Sequence, residues 1–207
     1  MPVLPTELYL AQLNGYEGTI FDGQTWQKHG EEWTLSVPVG LLDDPTNQAQ
    51  IPLVVDIGSG GHLAVCGTAV SGKSTFLQTM LFALVNKYSP KQLNIYILDY
   101  SSRMLAVFDG LAHVGGIVFE DDADRTAKFF SMLGEIMDQR KRLLHGGSFS
   151  QYVKASSEEI PAILIVIDNY ANFREKTENK FEDILISVSR DGANYGIFLA
   201  ITSGGFG

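Results

Sequence analysis

The chain has 207 residues, 45% of them apolar and 19% charged, a composition typical of a globular protein and not of a disordered one. Its formal charge of −9 argues against a dedicated nucleic-acid binder, because such proteins need a positive field to neutralise phosphates. The only cysteine, Cys66, excludes a disulfide framework and a thiolate cluster, and the apolar residues around it predict a buried side chain.

The N-terminal part of the chain differs from the rest. Residues 18–28, 33–44 and 51–58 are rich in β-branched and aromatic residues and are separated by Gly, Pro, Asn and Asp. This pattern predicts short strands or a hairpin. We therefore expect a β-rich flanking element over residues 1–58 and a separate core domain over residues 59–207.

From Gly61 onward, apolar strand patterns alternate with amphipathic helix patterns. Such alternation predicts an α/β fold with a mostly parallel sheet that carries helices on both faces. The most apolar segment, "PAILIVIDNY", predicts the central strand. The remaining predicted strands are "HLAVCG", "LNIYILDY" and "IFLAITSG", and the predicted helices are "STFLQTMLFALVNKY", Asp122–Leu144 and "FEDILISVSRDGANYG".

A glycine-rich loop follows the first of these strands. Its sequence "GTAVSGKS" fits the pattern G-x-x-x-x-G-K-[ST] at every fixed position, and a helix pattern follows it. Glycines at the two fixed positions let the backbone curl so that its N–H groups point at phosphate oxygens, while Lys73 reaches the β- and γ-phosphates. The loop predicts a P-loop NTPase fold of the RecA-like type and a nucleotide site made of Gly67, Thr68, Ala69, Val70, Ser71, Gly72, Lys73, Ser74 and Thr75.

A carboxylate at the end of the central strand completes the predicted site. Asp168 follows a run of apolar residues, where an acid is costly unless it faces a cation or hydrogen-bond donors. We expect the Ser74 hydroxyl and Asp168 to hold Mg²⁺ beside a bound ATP. Efficient motors usually place a second acid after this aspartate to orient the attacking water, but here the next residue is Asn169. The catalytic residue is unknown, and slow hydrolysis is expected.

On these residues the chain resembles the FtsK/SpoIIIE family of motor ATPases over roughly residues 60–203. The resemblance rests on the glycine-rich loop, on "ILIVIDNYANF" and on the segment between them. In that segment Asp99, His113, Asp138 and Arg140 occupy places typical of the family.

The lead-in "VPVGLLDDPTNQAQIPLVVDI" is similar to the start of the last ATPase module of EssC-type proteins. Those proteins are membrane-anchored motors of type VII secretion in Gram-positive bacteria. The resemblance implies a module on the cytoplasmic face of the membrane that belongs to a longer protein and ends before the family's final strands. It also implies neighbouring ATPase modules and small secreted proteins as partners, no nucleic acid, and homo-oligomers of the longer protein.

The chain departs from the family pattern near the expected γ-phosphate position. Asn169 replaces an acid, Ala193 replaces an arginine next to the retained Arg190, and Thr202-Ser203 replaces Thr-Gln. These departures predict an ATP-binding module with a regulatory or substrate-receiving role. The alternatives are a DNA-translocase motor domain and a scaffold that no longer binds nucleotide and only binds partners.

Overall fold

A computed structural model describes residues 5–16, 18–26, 34–156 and 160–205. Its regular elements, in chain order, are β1 (Ser36–Asp44), β2 (Ala49–Asp56), α1 (Ile57–Gly60), β3 (Leu63–Cys66), α2 (Lys73–Lys87), β4 (Leu93–Asp99), β5 (Val114–Phe119), α3 (Ala123–Leu144), α4 (Phe149–Ala155), β6 (Ala162–Asp168), α5 (Tyr170–Lys176), α6 (Glu182–Asp191) and β7 (Ile197–Ser203). Short 3-10 helices cover Leu10–Gln12, Met104–Phe108 and Gly192–Tyr195.

These elements form two compact units. Among the described residues, the first unit comprises those up to Gly60 together with Thr75–Ser89. The second comprises Gly61–Ser74 and the residues from Pro90 onward. The predicted boundary between residues 58 and 59 stays a prediction.

In the first unit, β1 and β2 pair as an antiparallel hairpin, as their composition predicts. A register shift between Pro38 and Gly40 marks a bulge, one of the places in a sheet where proline is found. The start of β1 is tied to the end of α2, because the Tyr88 hydroxyl accepts from the Ser36 backbone N–H at 2.9 Å. Within predicted strand 18–28, the described residues form one isolated bridge, between Phe21 and Trp26, and no strand.

The second unit contains a five-stranded sheet in which all strands run parallel, in the order β3-β7-β6-β4-β5. Strand β6 is central and all seven of its residues are buried, so both of its faces are covered. This confirms the parallel α/β fold and the central position predicted for the most apolar segment.

One face of this sheet carries a large apolar cluster. Helices α3 and α6 supply buried side chains to it, and the aromatic rings of Phe130 and Phe181 stack with centroids 4.2 Å apart. Helix α3 begins at an Asp122 cap, whose side chain accepts from the Arg125 N–H. The buried members include Leu98, Phe129, Phe130, Leu133, Ile163, Ile165, Ile167, Phe173, Leu185, Val188, Ile197 and Leu199. This packing fixes the carboxyl ends of the strands, where the predicted site lies.

Candidate nucleotide site

The glycine-rich loop joins the end of β3 to the start of α2, as the sequence predicts. The Gly67 N–H donates to the Ser203 carbonyl at 3.2 Å, which ties the loop to the end of β7. A Cβ atom at Gly67 would collide with the Ser71 side chain, and Gly72 has a φ of +89°. A side chain at the first glycine would force Ser71 to move, and the backbone conformation at the second favours glycine.

The Lys73 side chain folds back onto the start of the loop. Its Nζ donates to the carbonyl oxygens of Gly67 at 2.8 Å and Thr68 at 2.7 Å. These two bonds place the ammonium group inside the curl of the loop, next to the backbone that would receive phosphate oxygens. The geometry suits a cation that contacts a bound phosphate chain.

The two predicted magnesium ligands lie in direct contact. Ser74 Oγ donates to Asp168 Oδ2 at 2.6 Å, although the two residues are 94 positions apart in the chain. Asp168 is 1% exposed. A hydroxyl beside a buried carboxylate is a donor set that suits Mg²⁺, which binds one or two protein oxygens together with phosphates and water. Within the described part of the chain, no group of three or more His, Cys, Asp and Glu side chains is placed to hold a metal.

Thr202 is a site residue that the sequence analysis did not assign to this carboxylate. Its Oγ1 donates to Asp168 Oδ1 at 2.5 Å and accepts from the Asn169 N–H at 2.9 Å. The sequence gives little indication of this role, because it shows only a threonine near the end of a predicted strand. The contact becomes visible once β7 pairs with β6.

Asp99 lies beside Asp168 in the register of β4 and β6, but its side chain bonds to the backbone of the following turn. Its two carboxylate oxygens accept from the backbone N–H groups of Ser101, Arg103 and Leu105 at 3.1–3.2 Å. These bonds shape the turn that leads into the 3-10 helix at Met104. Asp99 therefore acts in the turn, and Asp168 alone faces the Ser74 hydroxyl.

Asn169, at the expected position of the catalytic acid, has a φ of +67°. Its side-chain oxygen accepts from the Asn172 N–H at 3.3 Å and so caps the N-terminus of α5. Asparagine tolerates this left-handed conformation better than most residues do. The structure thus gives Asn169 a role in the backbone turn and the helix cap, which the sequence analysis missed.

The remaining predicted site residues lie on the loop or next to it. Thr68, Ala69, Val70, Ser71 and Gly72 are exposed. Thr75 is the third residue of α2 and is also exposed.

Two of the other family positions, Arg190 and Arg140, form their hydrogen bonds and ion pairs away from this loop. Arg190 forms an exposed ion pair with Asp191 at 3.0 Å. Arg140 is buried, and its guanidinium donates to the Pro161 carbonyl at 2.6 Å. Burial lowers the pKa of Arg140 from its usual value.

The prediction that Cys66 is buried is wrong. Cys66 is exposed, because β3 lies at the edge of the described sheet and alternate residues on it face outward. An apolar run does not reveal on its own whether the strand it forms is central or at an edge.

Comparison with known proteins identifies the family. The model of the FtsK/SpoIIIE family matches residues 20–159, which is more than half of the chain. The chain belongs to the FtsK/SpoIIIE family. The matched range contains the glycine-rich loop, begins earlier than the resemblance seen in the sequence, and ends before β6. Membership of this ATPase family implies nucleotide binding.

The relatives of this chain include type VII secretion proteins. The type VII secretion system protein EssC of Staphylococcus aureus strain MRSA252 is 29% identical over 206 residues, which cover 98% of this chain and 14% of that protein. The structure of EssC (ATPases 2 and 3) from Geobacillus thermodenitrificans superposes with a TM-score of 0.82 at 28% identity, over 98% of this chain and 36% of that one. Thermomonospora curvata EccC (ATPases 2 and 3), solved in complex with a signal sequence peptide, has a TM-score of 0.77 at 28% identity, with the same coverage.

This FtsK/SpoIIIE chain therefore spans about one seventh of the length of its curated EssC relative. It is homologous to the ATPase domains of the EssC and EccC proteins, which are parts of longer multi-ATPase chains. None of the helices formed by the described residues is both long enough and apolar enough to cross a bilayer.

Proposed function

We propose that this chain is an ATP-binding module of a type VII protein-secretion motor, with an intact phosphate loop and weak catalysis. The observation that carries the proposal is the 2.6 Å hydrogen bond from Ser74 to Asp168. It brings the hydroxyl of the loop helix and the carboxylate of the central strand to the same point, at the start of the helix that also carries Lys73. Three side chains with these chemistries are what Mg-ATP requires of a P-loop.

Each residue has a distinct task in the proposed site. The loop backbone from Gly67 to Gly72 would surround the phosphates with N–H donors, and Lys73 would neutralise their charge. Ser74 and Asp168 would hold Mg²⁺, directly or through water. The bound cation would screen the phosphate oxygens from one another and so strengthen nucleotide binding.

The proposal of weak hydrolysis rests on Asn169. Its amide cannot take up a proton from an attacking water, and its oxygen accepts the hydrogen bond from the Asn172 N–H that caps α5. Asp99 is held in the turn before the Met104–Phe108 helix by three backbone hydrogen bonds, so we do not assign it the role of the missing acid. A module that binds ATP and turns it over slowly suits a regulatory or substrate-receiving role.

The place of this module is inferred from its relatives. EssC and EccC proteins carry several ATPases in one chain, and an EccC structure contains a signal sequence peptide. We infer that this chain works beside neighbouring ATPase modules of a longer, membrane-anchored protein, on the cytoplasmic face of the membrane. Small secreted proteins are the inferred substrates, and homo-oligomers of the longer protein are the inferred assembly.

Calorimetric titration of the 207-residue chain with ATP, with and without Mg²⁺, tests the proposal. Lys73→Ala should weaken ATP binding by about tenfold or more, equivalent to roughly 1.4 kcal/mol. Asp168→Asn should remove most of the gain in affinity that Mg²⁺ provides and leave Mg²⁺-free binding nearly unchanged. Lys141→Ala, which removes an exposed lysine near the end of α3, is the matched control and should bind as the unmodified chain does. Equal ATP affinity in the unmodified chain and in Lys73→Ala would show that the loop is not a phosphate site.

A further inference from the structure

Val70 lies at the tip of the phosphate loop in a backbone conformation that valine rarely adopts. Its φ is +62°, in the left-handed region. There the Cβ atom of an L-residue crowds the following carbonyl oxygen, and a β-branched side chain adds to the crowding. Gly72 also has a positive φ, but glycine has no Cβ and adopts this conformation without strain. The strain in the loop is therefore concentrated at Val70.

The turn around Val70 explains why this conformation is imposed. The Ser71 N–H donates to the Thr68 carbonyl at 3.3 Å and closes a four-residue turn with Val70 in third place. Type II turns need a positive φ at this place and normally have glycine or asparagine there. The bonds from Lys73 to the Gly67 and Thr68 carbonyls hold the first half of the same turn. The loop can relax at Val70 only if the turn changes.

No burial of the valine side chain offsets this strain. Val70 is 103% exposed, the highest value among the exposed large apolar residues of the described chain. An exposed isopropyl group gains no packing energy, so the unfavourable free energy of the left-handed backbone remains in the turn. Strained residues of this kind persist where the surrounding structure determines them, and they cluster at ligand sites.

We propose that Val70 is a positioning residue that lowers the affinity of the loop for the phosphate chain of nucleotides. The curled turn that can receive phosphate oxygens is a strained state, so only a fraction of the molecules hold it at any moment. The apparent dissociation constant rises in proportion as that fraction falls. This inference rests on the proposed function of the loop as a nucleotide site, and it concerns the phosphates and not the base.

Substitution by glycine tests the inference. Val70→Gly removes the strain, although the added backbone freedom of glycine offsets part of the gain. ATP and ADP should bind roughly threefold to tenfold more tightly to Val70→Gly than to the unmodified 207-residue chain. Binding of adenosine, which has no phosphate, should not change. Val70→Ala keeps a Cβ atom in the left-handed region and should lie much closer to the unmodified chain than Val70→Gly does.

The matched control is Val107→Gly. Val107 is 70% exposed in the 3-10 helix at Met104–Phe108, and it is not among the residues with positive φ. Its replacement should leave the affinities for ATP, ADP and adenosine unchanged. The thermal midpoint of each protein without nucleotide, measured in parallel, separates a change in general stability from a change at the loop.

The outcomes distinguish the two proposals. If Val70→Gly binds ATP no more tightly while Lys73→Ala still weakens binding, the loop is a nucleotide site and the inference about Val70 is wrong. A rise in the thermal midpoint of Val70→Gly without a gain in affinity also overturns the inference, because the strain would then be equal in the free and bound loop. If neither the unmodified chain nor Val70→Gly binds ATP, both the proposed function and the inference fail.

Discussion

The hydroxyl of Thr202 donates a hydrogen bond of 2.5 Å to Oδ1 of Asp168. Ser74 donates to the other carboxylate oxygen at 2.6 Å, so two elements hold this buried side chain from both sides. The two hydrogen bonds should respond differently to a bound cation. Ser74 is the residue that would turn toward a cation, whereas Thr202 can keep the carboxylate in place while that happens.

We expect Thr202→Val to destabilise the fold. Valine has nearly the same shape but leaves the Asn169 N–H and one oxygen of a buried carboxylate without their partner, at a cost of roughly 1–3 kcal/mol. Urea unfolding measures this cost. Thr202→Ser keeps the hydroxyl and is the control, which should retain the Mg²⁺-dependent gain in ATP affinity that Thr202→Val loses in part. An unchanged unfolding free energy in Thr202→Val would show that these hydrogen bonds contribute little.

The stability of the chain should depend on the protonation of His62. Its Nδ1 accepts from the Leu199 N–H at 2.9 Å, and its buried Nε2 has no partner among the described residues. Burial lowers the pKa of His62, and the backbone of Ser189 and Val188 opposes this effect in part. Because the folded state holds the proton less tightly, the unfolded state binds more protons below its own pKa of about 6.5. Stability from His62 is therefore present above that pH and is lost as the pH falls toward the lower pKa of the folded state.

A comparison with His62→Asn measures this effect. Asparagine can accept from the Leu199 N–H but does not titrate. Between about pH 7.5 and pH 5.5, the unmodified chain should lose more unfolding free energy than His62→Asn does. Equal losses in the two proteins would mean that His62 titrates alike in the folded and unfolded states.

We expect no appreciable binding of duplex DNA at physiological salt. The net charge of −9 repels a polyanion, and affinity for DNA depends on cations that displace its counterions. The exposed Lys141 and Arg142 lie in the last turn of α3, where they complement the helix dipole. Fluorescence anisotropy with a labelled duplex at micromolar protein tests this expectation. Salt-sensitive binding that is lost in Lys141→Glu/Arg142→Glu would favour a DNA-translocase function instead.

The sequence predicts those parts of the fold that local pattern controls. The apolar run of β6, the amphipathic pattern of α3 and the glycine-rich loop each combine a strong periodicity or spacing with a clear boundary. Strand β5 is not predicted, because its two glycines are atypical of strands. In the structure a Cβ atom at Gly115 would collide with the Tyr96 side chain, so the packing of β5 against β4 favours glycine there, which a local strand pattern does not reveal.

In the candidate site, too, the sequence predicts the residues of the local motif but not the contacts that depend on strand order. The contact between Thr202 and Asp168 joins residues 34 positions apart and depends on the strand order, which periodicity does not reveal. The exposure of Cys66 depends on the same strand order. The left-handed backbone of Asn169 depends on how β6 turns into α5. A single residue type at that position could not distinguish a lost catalytic acid from a residue chosen for its backbone conformation.

The rate of ATP hydrolysis should depend on the residue at position 169. Steady-state hydrolysis by the unmodified chain should be barely above background at saturating Mg-ATP. If the missing acid limits turnover, Asn169→Glu should raise the rate, since a general base is typically worth about 10²–10⁴-fold. The structure adds a cost, because glutamate at a φ of +67° is strained by roughly 1–2 kcal/mol and loses the cap on α5.

Asn169→Asp separates the two effects. Aspartate tolerates the left-handed backbone and caps helices as well as asparagine does, so it adds a carboxylate while keeping the turn and the cap. Asn169→Gly keeps the backbone conformation without a side chain and is the control. We expect the rate to rise in Asn169→Asp or Asn169→Glu and not in Asn169→Gly, with ATP affinity nearly unchanged, because the added charge stabilises the transition state and not the bound substrate. Turnover of several ATP per second by the unmodified chain, retained in Asn169→Gly, would show that Asn169 does not limit hydrolysis and that the module is not catalytically weak.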